Sequence, residues 1–370
     1  MDFSYWEYKT WLSNVDFTII GSGIVGLNSA IRIHEKFPKA KILILERGIF
    51  PNGASTKNAG FACFGSISEI LDDLKTHSEE EVIELVEKRR NGLQLLRDNL
   101  GDSTISYRHN GGYELFTEAD SNLYETCISK ISDINSLLTP VFKDDVFLET
   151  KNTFSFKNIQ PHYIKNQFEG QIDTGKMMSA LLHKVQTSGV KILNNCIVEG
   201  LSENQNTVEI KTNHFTFSSN KVLIATNGFA SQLGIENVKP ARAQVIITKP
   251  IEGLNIKGTF HLDKGYYYFR NINDRILFGG GRNLDFKAEE TTKQGQTKLV
   301  QQKLEKILKD TILPDTTFEI EYRWSGIMGV GSQKKSIIKQ VSNNIFCGVR
   351  LGGMGVAIGS QVGMELADLL

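Results

Sequence analysis

Strand-length apolar runs and helical stripes alternate along this chain. The run Val15–Ile20 stops at Gly21, Leu27, Ala30, Ile31 and Ile33 then mark a helix, and residues 41–45 form a second strand ending in Glu46. Ser78-Glu79-Glu80-Glu81 has the form of a capping box. Val82, Leu85, Val86, Leu93 and Leu96 follow on one helical face, which ends near Gly101. Residues 112–117 are predicted as a strand and 120–138 as a helix stopped before Pro140. A helix over 176–186 precedes strands at 190–194, 207–212 and 221–225. Residues 241–285 are strand-rich with repeated aromatics, 289–309 are helical, and a last strand meets a glycine turn and a helix reaching Leu370.

This order implies two domains, the usual outcome for 370 residues. The first β-α-β unit is local, whereas later strands and the closing glycine turn return to it. One discontinuous domain is therefore expected from residues 14–65, 160–235 and 335–370. A second, with a more alternating strand pattern, is expected from 66–159 and 236–334.

Composition narrows the classes. Lys and Arg total 42 against 42 Asp and Glu, so nothing attracts the chain globally to nucleic acid or an anionic membrane. No apolar run reaches spanning length. The first residues, Met1 to Glu7, lack the basic start and apolar core of a secretory signal, and their aromatics are expected to pack a short helix onto the first domain. Four scattered cysteines without a C-x-x-C pair, and no H-E-x-x-H, give no reason to expect a disulfide framework or a metal site. A reducing cytoplasm is the expected location.

The chemistry enters at Gly21-x-Gly23-x-x-Gly26 between strand and helix. Gly21 permits the tight turn, Gly23 a close backbone approach to a pyrophosphate, and Gly26 close packing of helix on sheet. The helix N-terminus offers N–H groups to phosphate, and Glu46 is placed to accept from ribose hydroxyls. Strand, glycines, helix, strand and acid in this order point to an adenine dinucleotide.

Further blocks make the chain resemble the FAD-dependent oxidoreductases of the D-amino-acid oxidase, glycine oxidase and sarcosine oxidase superfamily. They are Ser55-Thr56-Lys57-Asn58-Ala59-Gly60, Gly170-x-Ile172-Asp173, Ala225-Thr226-Asn227-Gly228, Trp324-Ser325-Gly326-Ile327-Met328 and the turn Gly352-Gly353-Met354-Gly355-Val356. The resemblance implies an α/β fold: a discontinuous Rossmann-like FAD-binding domain, and a substrate domain built on a mixed, mostly antiparallel sheet plus helices. It implies FAD contacts from Gly21, Gly23, Ile24, Gly26, Glu46, Arg47, Ser55, Thr56, Asn58, Ala59, Gly60, Val198, Ala225, Thr226, Gly228, Arg350 and Gly352 through Val356. A second strand–G-x-G-x-x-G–helix, which a nicotinamide domain would need, is absent from the sequence, so FAD is expected rather than NAD.

The implied activity is oxidation of the C–N bond of a small amine or amino-acid derivative, with hydride passing to flavin N5 and electrons then to oxygen or a quinone. Both arginines that clamp a substrate carboxylate in glycine oxidase-like relatives are replaced here, by Met328 and Gly353. Either the substrate has no carboxylate beside the reacting carbon, or Arg350 or Arg282 has taken over that task. Alternation puts Tyr266 and Tyr268 on one strand face, where they are candidates for the substrate pocket. Two other readings keep the flavin: a 2-hydroxy-acid or polyol-phosphate dehydrogenase, which needs a base, and a flavin-binding protein without turnover.

Overall fold

The computed structural model describes residues 2–370. The chain opens with α1 (Tyr5–Glu7), then β1 (Val15–Ile20), α2 (Ile24–Lys36) and β2 (Ile42–Leu45). A short α3 (Ala54–Lys57) and β3 (Phe61–Ala62) lead to α4 (Ile67–Asp73) and the long α5 (Glu79–Leu100). Then come β4 (Gly112–Glu114), α6 (Ser121–Ser129), α7 (Ile131–Phe142), β5 (Phe147–Lys151) and β6 (His162–Asn166). The chain returns through β7 (Gly170–Gln171), α8 (Thr174–Thr187), β8 (Lys191–Leu193), β9 (Val198–Glu203), β10 (Val208–Thr212) and β11 (Thr216–Ile224). It leaves again for β12 (Lys239–Thr248), β13 (Thr259–Leu262), β14 (Tyr267–Ile272), β15 (Arg275–Gly280), α9 (Phe286–Glu289), α10 (Lys298–Ile307) and β16 (Ile320–Val330). It closes with β17 (Ile337–Gln340), β18 (Ile345–Val349) and α11 (Gly355–Asp368).

Two eight-stranded sheets organise these elements. In the first, β18, β11, β1, β2 and β8 run parallel, with β17 antiparallel on one edge and the β9–β10 hairpin attached to β11. Helices α2, α8 and α11 bury their apolar stripes on one face of this sheet, around Ile19, Ile44 and Leu223. The second sheet runs β16-β12-β15-β14-β13-β4-β6-β5 and is antiparallel except where β13 meets β4. One face buries an aromatic core in which Phe260 stacks on Phe269 at 4.6 Å, under α10. The opposite face turns Val245, Leu277 and Tyr268 toward Ala59 and Phe61 of the first domain. This is the expected α/β architecture.

Several expectations need correction. Residues 120–138 are two helices parted at Lys130, and Pro140 lies inside the second. Pro140 is exposed there, so the carbonyl it leaves unpaired can be hydrated. Residues 290–297 are not helical: Gly295 donates its N–H to Ser325 Oγ and Thr297 donates to Gln244 Oε1, so the sheet claims this segment before α10 begins. The expected domain edge at 160 moves past β6, which pairs with β4 and β5 in the second sheet. At the N-terminus, Tyr5, Trp6 and Tyr8 are exposed, and only Phe3, Trp11 and Leu12 pack on the domain. No helix among the described residues is long and apolar enough to cross a membrane.

Candidate active site

A cleft of about 600 Å³ runs between the two sheets, within the range of small-molecule and cofactor sites. Its first end is built at the β1–α2 turn. A Cβ on Gly23 would stand 2.8 Å from Ser55 Oγ, which accepts the Ile24 N–H at 2.9 Å, so only glycine lets the α3 loop close on the turn. Glu46 is buried, with Oε2 accepting from Ser22 N–H (3.1 Å) and O–H (2.6 Å) and Oε1 from Gly48 N–H (2.9 Å). Arg47 lies 3.6 Å over the Phe229 ring, and burial lowers its pKa. Val198, Ala225 and Thr226 continue the wall, and Thr226 Oγ1 is buried there without a protein partner.

The other end is the turn before α11. Gly352 and Gly353 have φ of +58° and +87°, and nothing stands within 4 Å of a Cβ on Gly352. The turn therefore needs glycine for its backbone, and the space beside it is open. Asn227 pins its start, Oδ1 accepting from Arg350 N–H (3.1 Å) and Leu351 N–H (3.2 Å). Neither N-cap residue of α2 or α11 caps its helix with a side chain; Ser55 takes the Ile24 N–H of α2, and both helix starts border the same cleft. Two helix starts, an orphaned Thr226 hydroxyl and a glycine cradle together fit an anionic, elongated cofactor such as FAD.

Some expected site residues stand behind the walls. Gly26, Thr56, Gly60 and Gly228 support the cleft without bordering it. Thr56 donates to Pro51 O, closing its own loop. Asn58, on the cleft, ties that loop together through Ser55 O (2.7 Å) and Gly60 N–H (2.8 Å). Arg350 does not reach the cleft at all. Its left-handed backbone (φ +65°) swings the side chain away, and its guanidinium donates to Lys335 O at 2.9 Å and Asn237 O at 3.0 Å.

Arg282, Tyr266 and Tyr268 do border the cleft. The Arg282 guanidinium sits 5.3 Å from the Tyr266 ring and 5.2 Å from the Phe286 ring. Enclosure pushes the Tyr268 phenol up to about 12. Met328 also faces the cleft, its sulfur 3.5 Å from where a Cβ on Gly353 would stand. The two positions without arginine thus meet in one apolar spot.

Four further residues matter that the sequence reading left without a role. Arg270 is buried behind the α3 loop and donates Nε–H to Ala59 O, and desolvation lowers its pKa to about 10. It stands two residues after Tyr268, so alternation could have placed it on the same face. Cys63 and His261 line the cleft, and Glu169 lies behind them with Oε2 3.4 Å from His261 Nε2. His261 rises above its ordinary pKa: desolvation opposes the charge, but Glu169 and neighbouring carboxylates outweigh it. Desolvation and the same carboxylates push the Cys63 thiol well up.

Comparison with known proteins agrees with this geometry. The family described as FAD dependent oxidoreductase (DAO) matches residues 16–369. A curated relative, "Probable oxidoreductase OrdL" of Haemophilus influenzae, is 21% identical over 98% of this chain and 84% of its own length. The glycine oxidase of Bacillus cereus superposes with a TM-score of 0.76 at 16% identity, covering 96% of this chain and 94% of that one. The L-proline dehydrogenase of P. horikoshii gives 0.75 at 17% identity, with 96% and 93% covered.

Proposed function

The chain belongs to the FAD dependent oxidoreductase family, and from that premise we propose that it oxidises the C–N bond of a small amine or amino-acid derivative whose anionic group pairs with Arg282. The observation that carries this reading is Arg282 itself, a guanidinium on the cleft between two aromatic rings, with no carboxylate partner among the described residues. Similar proteins named for glycine and proline favour an amino-acid-like substrate.

Gly21, Gly23, Ile24, Glu46, Arg47, Ser55 and Val198 would hold the nucleotide end of FAD, and Gly352 through Val356 its ring end. When bound, FAD supplies the electron-accepting ring at which a C–H bond beside nitrogen is oxidised. The chain's own part is orientation and exclusion of water. The uncapped N–H groups at the start of α11 favour negative charge at that end. Met328 and Gly353 leave an apolar spot where a carboxylate would be unpaired, so the anionic group is directed to Arg282 instead. Tyr266 and Tyr268 enclose the organic part of the substrate.

Anaerobic titration of the holoenzyme tests the reaction class. Amines or amino acids should bleach the flavin band, and 2-hydroxy acids should not. Bleaching by dithionite alone would leave a flavin-binding protein without turnover. Arg282→Ala should raise KM about 10- to 100-fold, the range of a charge-assisted pair, with FAD content unchanged. The second reading, oxidation of a hydroxy acid, draws support from His261 on the cleft as a candidate base. Bleaching by hydroxy acids but not amines would replace the first reading with it.

A further inference from the structure

Cys63, Glu169 and His261 come from three distant segments, yet one ligand atom of each lies within 4.8 Å of the other two, and all three residues are buried. We propose that they form a binding site for a zinc-class divalent ion, with a fourth coordination position open to the cleft. Three observations carry it. His261 Nε2 is shut off from solvent, and its 3.4 Å approach to Glu169 Oε2 falls outside hydrogen-bond geometry. Glu169 is already oriented: Oε1 accepts from Phe64 N–H at 2.9 Å and Gly65 N–H at 3.3 Å, leaving Oε2 directed at His261. The Nε2–Oε2 separation is 3.4 Å, close to the roughly 3.3 Å between two tetrahedral zinc ligands with bonds of about 2.0 Å.

Donor chemistry and charge agree. Thiolate, imidazole and carboxylate are the ligand types zinc takes, and three protein ligands with one open position is the arrangement of non-structural zinc sites. Carboxylates of Glu69 and Glu169 bear on both Cys63 and His261. A dication that displaces the thiol proton and binds the neutral imidazole adds one net positive charge beside these carboxylates. Cys63 and His261 border the cleft and Glu169 does not, so a fourth ligand, water or a substrate group, can arrive only from the cleft side.

The test uses FAD-loaded protein freed of metal by a chelator. Equilibrium dialysis against Zn²⁺ should give one ion per chain, and Cys63→Ser and His261→Asn should each weaken binding at least 100-fold while FAD is retained. Cys196→Ala, distant from the cluster, should bind as wild type. Should a cluster variant fail to fold, Co²⁺ added to the wild type decides: d–d absorption to the red of the flavin with a thiolate-to-cobalt charge-transfer band is expected. No stoichiometric Zn²⁺ binding, no cobalt–thiolate band, or loss of binding only in Cys196→Ala would each overturn the site and leave Glu169–His261 as a plain ion pair.

Discussion

At the scale of single residues, backbone shape and buried charge make separable demands. Gly352 adopts φ +58° with open space on its Cβ side. Gly352→Ala should therefore cost only about 1 kcal/mol of stability in FAD-free protein, the penalty for a left-handed residue. Gly352 borders the cleft, so FAD affinity should fall by more than that penalty; equal losses in denaturation and FAD titration would contradict the assignment. Glu114 makes a different demand. Desolvation raises its pKa from 4.5 to about 7, although Ser68 donates to it through N–H and O–H. Between those values the folded state holds a proton that the unfolded state has released, so stability falls as pH rises and the loss is complete above about 7. The full penalty is about 3 kcal/mol. Glu114→Gln should match the wild type near pH 5 and exceed it near pH 8 in urea denaturation. An unchanged pH slope would mean that the carboxyl is not held neutral. Gly21, Gly23 and Glu46 border the cleft, a placement that a local motif makes readable from adjacent residues. The direction of Arg350 depends on a left-handed turn and on carbonyl acceptors at 237 and 335, which no local pattern reveals.

At the scale of elements, legibility follows the range of the signal. The β-α-β unit and the Ser78 cap of α5 are written in adjacent residues, and the cap forms as read, with Ser78 Oγ accepting the Glu81 N–H. The unwound 290–297 segment depends on distant partners, Ser325 and Gln244, and was not legible. Gly92 shows how an element can act at a distance. It lies inside α5, where alanine would favour the helix by about 1 kcal/mol. Yet a Cβ there would run into Ala357 O and stand 3.1 Å from Ile358 Cα on α11, whose N-terminus carries the glycine turn. Overpacking of this kind costs about 1–3 kcal/mol. Gly92→Ala should therefore lower the melting temperature and loosen FAD retention despite its distance from the cleft. Stabilisation would mean that helix propensity, and not the α5–α11 contact, governs the position.

At the scale of the whole molecule, the cleft exists because two sheets from interleaved segments are tied across it. Trp324 Nε1–H donates to Lys57 O at 3.0 Å, and Arg270 donates to Ala59 O. The tryptophan–glycine block was visible in the sequence, but its work as a bridge between domains was not, because Lys57 and Trp324 meet only in three dimensions. These ties are buried or half-buried, and breaking them would strand polar groups, which costs about 1–3 kcal/mol each. The two halves should therefore unfold together. FAD binding to the folded state alone adds about 2.7 kcal/mol when free FAD is 100-fold above its dissociation constant. Calorimetry of the apoprotein should give one transition, and FAD should move that whole transition upward. Two transitions, with FAD shifting only the one that belongs to the parallel-sheet domain, would show that the second sheet contributes nothing to holding the cofactor.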